Sequence, residues 1–167
     1  MSTINIADFD GTITINSDTV YKDLFGISHE EYPKTAIAKC MDYIKDNGDV
    51  EKYISKVKKS LKYRKELVEC LKNRNSAYII SDNPFVKELI PSELKPVGIY
   101  PTIVPEIIGG NFTGRILEES TKVEIMQKQL PKPNGNKINF YTDGGPSDEK
   151  LIKYLLDNYE NVIVLRY

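Results

Sequence analysis

Two aspartates stand two residues apart in the segment Ala7–Thr14 (ADFDGTIT), at the end of the apolar run Ile4–Phe9. In an extended strand, residues i and i+2 project from the same face, so the carboxylates of Asp8 and Asp10 converge. Two carboxylates held that close require a cation or a shared proton. The chain has one histidine, His29, and two cysteines, Cys40 and Cys70. A zinc site built on several histidines is excluded, as is any Ser-His mechanism that does not use His29. A hard, oxygen-ligated ion such as Mg²⁺ is the natural partner. Gly11 permits close approach of the backbone to an anion and Thr12 adds a hydroxyl, which makes Gly11 and Thr12 candidate phosphate-binding residues. Without function, the same string reads as a strand end followed by a solvated Asp-Gly turn.

Three later segments offer matching chemistry. The run Ala77–Ser81 ends in Ser81-Asp82-Asn83-Pro84. Proline favours the first helical turn, which predicts a helix N-terminus with its amides facing outward. Those amides and the Ser81 hydroxyl would form an anion site, so Ser81 and Asp82 join the phosphate-binding candidates. Thr121 and Glu124 read as a capping box that places Lys122 in a first helical turn, where a cation opposes the helix dipole unless an anion is held nearby. The run Ile138–Tyr141 leads through Thr142 to Asp143, then Gly144-Gly145-Pro146 and Asp148. Asp143 repeats the placement of Asp8. Each feature alone also has a plain structural reading, as a helix cap, a solvated lysine or a first-turn acid.

These side chains need a scaffold that brings strand ends together. The runs Ile4–Phe9, Ala77–Ser81, Ile138–Tyr141 and Val162–Leu165 read as buried strands. Helical spacing of Val123, Met126 and Leu130, and of Leu151, Leu155 and Leu156, separates the later ones. Strands alternating with helices imply a parallel sheet with right-handed crossovers. In open α/β sheets, ligands bind at the carboxyl ends of such strands. The interval from Phe9 to Ala77 is far longer than one crossover helix requires and must hold an insert. Ile37, Met41 and Ile44 mark one helix ending near Gly48, and Asp49 can cap a second with Val50, Ile54, Val57 and Leu61 on its apolar face. A small helical cap over residues 15–60 follows, with residues 1–14 and 61–167 forming the core. Leu67, Val68 and Leu71 lead into the second strand. Ile107–Ile116 is a hairpin candidate turning at Gly-Gly-Asn, and Pro131–Lys137 is a surface loop.

Composition narrows the classes. At 167 residues the chain suits one domain, or one with a small insert, and needs no disulfide or metal to fold. The 23 basic and 24 acidic residues leave a net charge of −1, which argues against nucleic-acid binding through bulk charge. No apolar run approaches the roughly 20 residues of a membrane span. The first residues lack a leader pattern, and two cysteines suit a reducing compartment, so a cytoplasmic location is expected.

In this order the motifs resemble those of the haloacid dehalogenase superfamily of Asp-dependent phosphohydrolases: DFDGT at 8–12, Ser81 after a strand, Lys122 at a helix start, and Asp143 with Asp148 after the fourth strand. Phe112-Thr113-Gly114-Arg115 followed by Lys122 is similar to the phosphoserine-phosphatase-like branch. That branch has a three-layer, Rossmann-like α/β fold with a small helical cap inserted after the first strand. The resemblance implies that Asp8 is the nucleophile and Asp10 the acid/base. It implies phosphate oxygens held by Ser81 and Lys122. Mg²⁺ would be bound by Asp8, Asp143 and the Asp10 backbone carbonyl, with Asp148 supporting the acidic cluster. The sequence departs from the branch in carrying Thr142 where glycine is usual before the fourth-motif aspartate. Residues 15–60 contain no arginine, and Ser17 stands where phosphoserine phosphatases carry a glutamate, so phosphoserine is a poor substrate for this chain.

The resulting expectation is a Mg²⁺-dependent phosphomonoesterase acting on a small phosphorylated metabolite, with no nucleic-acid or membrane partner and the oligomeric state left open. A phosphotransferase or mutase using the same phosphoenzyme is the nearest alternative, and a catalytically silent binding module of the same fold is the other. The cap residues Lys34, Lys39, Tyr43, Tyr53 and Lys56 are candidates for substrate choice.

Overall fold

The computed structural model describes residues 3–26, 33–74, 76–130, 135 and 137–167. Strand β1 (Thr3–Ala7) runs into a kinked turn, Phe9–Ile13, followed by helices α1 (Ser17–Phe25), α2 (Pro33–Asn47), α3 (Val50–Ser60) and α4 (Lys65–Lys72). Then come β2 (Ala77–Ser81), α5 (Val86–Leu89), β3 (Gly98–Pro101), β4 (Ile103–Ile108) and β5 (Asn111–Glu119). The chain closes with α6 (Lys122–Gln129), β6 (Lys137–Thr142), α7 (Pro146–Asn158) and β7 (Val162–Arg166).

Five of the strands form one parallel sheet in the order β3-β2-β1-β6-β7. Their side chains alternate between two apolar clusters, as a pleated sheet requires. Ile4, Ile6, Tyr78, Ile80, Ile138 and Phe140 pack with α6 and α7. Ala7, Ala77, Ile79 and Tyr141 face the opposite side with α4, α5 and the insert helices. The result is the three-layer α/β arrangement expected for a Rossmann-like fold. From β1 the chain moves to β2 and β3 on one side, then returns to place β6 and β7 on the other. A ligand crevice forms at such a reversal point, outside the carboxyl ends of the strands. Ala7 pairs with both Ile79 and Tyr141, so Asp8, Ser81 and Asp143 emerge at the same edge.

Helices α2 and α3 fall where the apolar spacing puts them. Asp49 caps α3, its Oδ1 accepting from the Glu51 and Lys52 amides at 3.1 and 3.3 Å. Val50, Tyr53 and Val57 of α3 join the same apolar cluster as Phe9, Leu67 and Phe85, so the insert shares one core with the sheet. The hairpin β4–β5 turns at Gly109 and Gly110, both at positive φ (58° and 81°), the geometry that favours glycine in a two-residue turn. It docks on the bend between α2 and α3: Val50 N–H donates to Gly110 O at 2.8 Å and Asp49 N–H to Asn111 Oδ1 at 3.1 Å.

Several expectations are revised. Helix α1 and strand β3 add to those read from the sequence. Strand β3 has four partly exposed residues ending in proline, too short and too wet to show as an apolar run. The helix after β2 starts at Val86, not at Pro84. Asn83 displaces its first turn, donating its amide to Ser81 Oγ at 3.1 Å and accepting from Phe85 N–H through Oδ1 at 3.0 Å. On α7, Leu156 is exposed and Ile152 takes the buried place beside Leu151 and Leu155. His29 and most of Pro131–Lys137 lie outside the described residues. No helix among the described residues is long and apolar enough to cross a membrane.

Candidate active site

The site is built on the end of β1. Asp8 N–H donates to Tyr141 O at 3.0 Å, the last rung between β1 and β6. The backbone then kinks, with Asp10 extended (φ −69°, ψ 130°) and Gly11 at φ 74°. The kink is tied down internally: Gly11 N–H donates to Thr14 Oγ1 and to Ser17 Oγ, both at 3.1 Å. From α4's N-cap position, Arg64 clamps it from outside, with Nε 3.0 Å from Thr12 O and Nη2 3.3 Å from Gly11 O. The Arg64 guanidinium also lies over the Tyr167 ring, 4.7 Å from its centroid.

This geometry assigns Gly11 a different use from the phosphate contact expected of it. Its amide is already committed within the turn, and a Cβ at this position would stand 2.2 Å from Asp143 Oδ2. Glycine here makes room for the Asp143 carboxylate. Asp82, a candidate through its backbone amide, uses its carboxylate for bracing. It accepts from Thr102 Oγ1 at 2.8 Å and from Ser147 Oγ at 2.6 Å, tying the end of β2 to the β3–β4 link and to α7. Thr12 is fully buried and its hydroxyl has no hydrogen-bond partner.

Lys122 is the first residue of α6, and the Thr121–Glu124 capping box that starts the helix is present in both directions. Its side chain is 3% exposed and its ammonium bridges two buried carboxylates, 2.7 Å from Asp8 Oδ1 and 2.5 Å from Asp148 Oδ1. The other Asp148 oxygen accepts from Thr142 Oγ1 at 2.5 Å. Threonine at 142 therefore orients Asp148, where glycine could not. Burial alone would discharge Lys122, but Asp8 and Asp148 hold it firmly protonated. Burial pushes the Asp8 carboxyl upward, Lys122 opposing and Asp148 adding to the shift.

Asp143 joins this pair. One oxygen each from Asp8, Asp143 and Asp148 lies within 4.8 Å of the others, with Asp143 exposed and the other two buried. Three carboxylates against one ammonium leave excess negative charge, and an all-oxygen donor set suits a hard divalent ion. The residues present thus fit a hard divalent cation, on the evidence of their donor chemistry. The Asp10 carboxylate does not belong to this group. It turns toward β2, where Oδ2 accepts from Asn83 Nδ2 at 3.0 Å. Its Oδ1 is buried without a partner. Burial raises the Asp10 carboxyl to about 6, with the Asn83 hydrogen bond partly offsetting it. Ser81 is buried at the end of the strand adjoining β1. Its hydroxyl accepts from Asn83 N–H and keeps its own hydrogen to donate.

Among the cap candidates, Tyr53 is buried rather than presented to a ligand. It stacks on Phe25 at 4.9 Å and tilts against Phe85 at 5.5 Å. Lys56 lies over the Phe25 ring at 5.7 Å, and Tyr43 tilts against the same ring at 4.6 Å. Asn83, Tyr21 and Arg64 were not singled out by spacing. Asn83 sits inside the Ser81–Pro84 motif, but nothing local links Tyr21 or Arg64 to a site assembled by tertiary structure.

No protein-family model matches the chain, and no curated protein sequence does either. Among solved structures it is similar to one described as a phospho-aspartyl intermediate analogue of phosphoserine phosphatase. The match covers 99% of this chain and 94% of that one, with 15% identity and a TM-score of 0.57. The likeness is one of fold: this chain has the three-layer α/β architecture of a phosphatase structure. It extends over the insert as well as the sheet, since almost none of either chain is left out.

Proposed function

We propose that the chain is a phosphomonoesterase of the haloacid dehalogenase type, hydrolysing a small phosphorylated metabolite through a phosphoryl group carried on Asp8. The observation that carries the reading is Lys122 Nζ held between Asp8 and Asp148 while Asp10, two residues from Asp8, keeps one buried carboxylate oxygen without a partner. The fold likeness to a phosphatase structure supports it.

Asp8, Asp143 and Asp148 would hold Mg²⁺, whose charge neutralises the phosphate so that an anionic carboxylate can approach it. Lys122 supplies a further fixed positive charge, and the Ser81 hydroxyl donates to a phosphate oxygen. A carboxylate oxygen of Asp8 bonds to phosphorus as the ester P–O bond breaks, and Asp10 passes its proton to the leaving oxygen. Asn83 already occupies Oδ2, so that proton sits on Oδ1. Water then attacks the aspartyl phosphate. Asp10 Oδ1 takes the proton from this water, the bond between phosphorus and Asp8 breaks, and inorganic phosphate leaves with both aspartates restored. The insert over residues 15–60, with the β4–β5 hairpin docked on it, forms a cap that excludes water and selects the ester. We place the enzyme in the cytoplasm.

The test is a screen of phosphorylated metabolites with Mg²⁺, measuring phosphate release by the wild type and by Asp8→Asn. Hydrolysis of at least one ester by the wild type only supports the reading. Transfer of the phosphoryl group to an added alcohol in preference to water would move it to the phosphotransferases.

A further inference from the structure

The Asp10 carboxylate rests on a chain of groups reaching from β2 into the insert. Asn83 is buried and every polar atom of its side chain is committed. Oδ1 accepts from Phe85 N–H at 3.0 Å, which fixes which way round the amide stands. Nδ2 donates to Asp10 Oδ2 at 3.0 Å and to Tyr21 Oη at 2.6 Å. Tyr21 belongs to α1, the first helix of the insert, and its buried hydroxyl is close enough to Asp10 for the carboxylate to raise its ionisation further. Asp10 itself lies on an irregular turn, where no regular backbone ladder fixes its side chain. Of its two oxygens, Oδ2 is held and Oδ1 is buried with no partner.

We infer that Asn83, with Tyr21 behind it, is a positioning residue that divides the labour of the two Asp10 oxygens, anchoring Oδ2 so that Oδ1 alone faces the leaving group of the substrate. This inference rests on the phosphatase reading above and adds to it a requirement on residues outside the motifs. It also makes the insert part of the chemical step, because α1 supplies the hydroxyl that holds the amide. A carboxyl group aimed loosely would still bind substrate but would transfer its proton less often.

The test exploits the leaving group. kcat/KM reports steps through release of the alcohol, and p-nitrophenolate departs without needing a proton whereas an alkoxide does not. For Asn83→Ala, kcat/KM on an alkyl phosphate should fall by about tenfold to a hundredfold, while that on p-nitrophenyl phosphate should change by less than about threefold. Tyr21→Phe keeps the ring, removes only the hydroxyl, and should show the same pattern at smaller amplitude, which covers the case in which Asn83→Ala does not fold. An equal loss on both esters, or no loss on either, from variants whose melting matches the wild type overturns the inference and leaves the phosphatase reading standing. A wild type that hydrolyses neither ester, nor any metabolite in the screen, overturns both.

Discussion

Asp143 Oδ2 occupies the space beside Gly11 so closely that a Cβ on residue 11 would stand 2.2 Å from it. The turn that follows Asp8 and the loop that follows β6 are therefore fitted to one another, and the fit delivers Asp143 to Asp8 and Asp148. Gly11→Ala should break it twice over. Alanine at φ 74° costs about 1–2 kcal/mol, and the methyl group must push the carboxylate away. Thermal melting should show a destabilised protein whose melting temperature no longer responds to Mg²⁺. A variant that retains the wild-type Mg²⁺ response would contradict the fit.

Mg²⁺ should stabilise the wild type by mass action, by about 2.7 kcal/mol at a hundredfold excess over its dissociation constant. For a domain of this size that corresponds to a rise of roughly 5–10 °C in melting temperature. Asp143→Asn should abolish the rise while leaving the metal-free protein at least as stable as the wild type, since the variant relieves repulsion with Asp148 and its contact in the loop, with Gly145 N–H at 3.2 Å, can be kept by the amide oxygen. Identical melting curves in excess EDTA and excess Mg²⁺ would remove the carboxylate metal site from the account.

Lys122→Met leaves Asp8 and Asp148 buried and facing one another with no counter-charge. Breaking a buried pair in this way typically costs about 3–5 kcal/mol. Urea denaturation should report a loss of that order. Adding Asp148→Asn should recover part of it, because one of the two uncompensated charges is gone. A single variant as stable as the wild type would show that the ammonium is not what balances these carboxylates.

The Asp10 carboxyl, raised by burial from 3.8 to about 6, gives a pH dependence with a definite sign. Between these values the folded chain holds a proton that the unfolded chain has lost, so its contribution is present below about pH 4 and disappears as pH rises through about 6. The difference corresponds to about 3 kcal/mol. In EDTA, Asp10→Asn should match the wild type near pH 4 and exceed it in stability at pH 8. Parallel stability curves for the two proteins from pH 4 to 8 would contradict the burial assigned to this group.

The parts of the molecule readable in its sequence were those governed by local rules. The runs that became β1, β2 and β6 are apolar in their interiors apart from Asn5 and Asn139 because central parallel strands are covered on both faces, whereas β7 is an edge strand that leaves Ile163 exposed. The Asp49 and Thr121 caps and the Gly109-Gly110 turn carry their own stereochemistry in a few residues. Asp8, Asp143 and Lys122 were legible because strand ends and helix starts are where open sheets collect ligands. Residues whose role depends on a partner far along the chain were not. Tyr21 reaches Asn83 across 62 positions, and Arg64 reaches Gly11 across 53. Tyr53, a candidate for substrate choice, is buried against Phe85, and helical spacing cannot distinguish a face turned to a ligand from one buried in this way.

In the proposed reaction Asp8 carries the phosphoryl group. Rapid acid quenching of the wild type during turnover of a hydrolysable ester, followed by mass spectrometry of the peptide containing residues 7–14, measures this directly. A phosphoryl adduct on Asp8 is the predicted result. It should be absent from Asp8→Asn, in which turnover falls by about a thousandfold or more. An unmodified Asp8 peptide throughout turnover, or an Asp8→Asn protein that keeps even about a tenth of wild-type activity, would contradict the covalent mechanism.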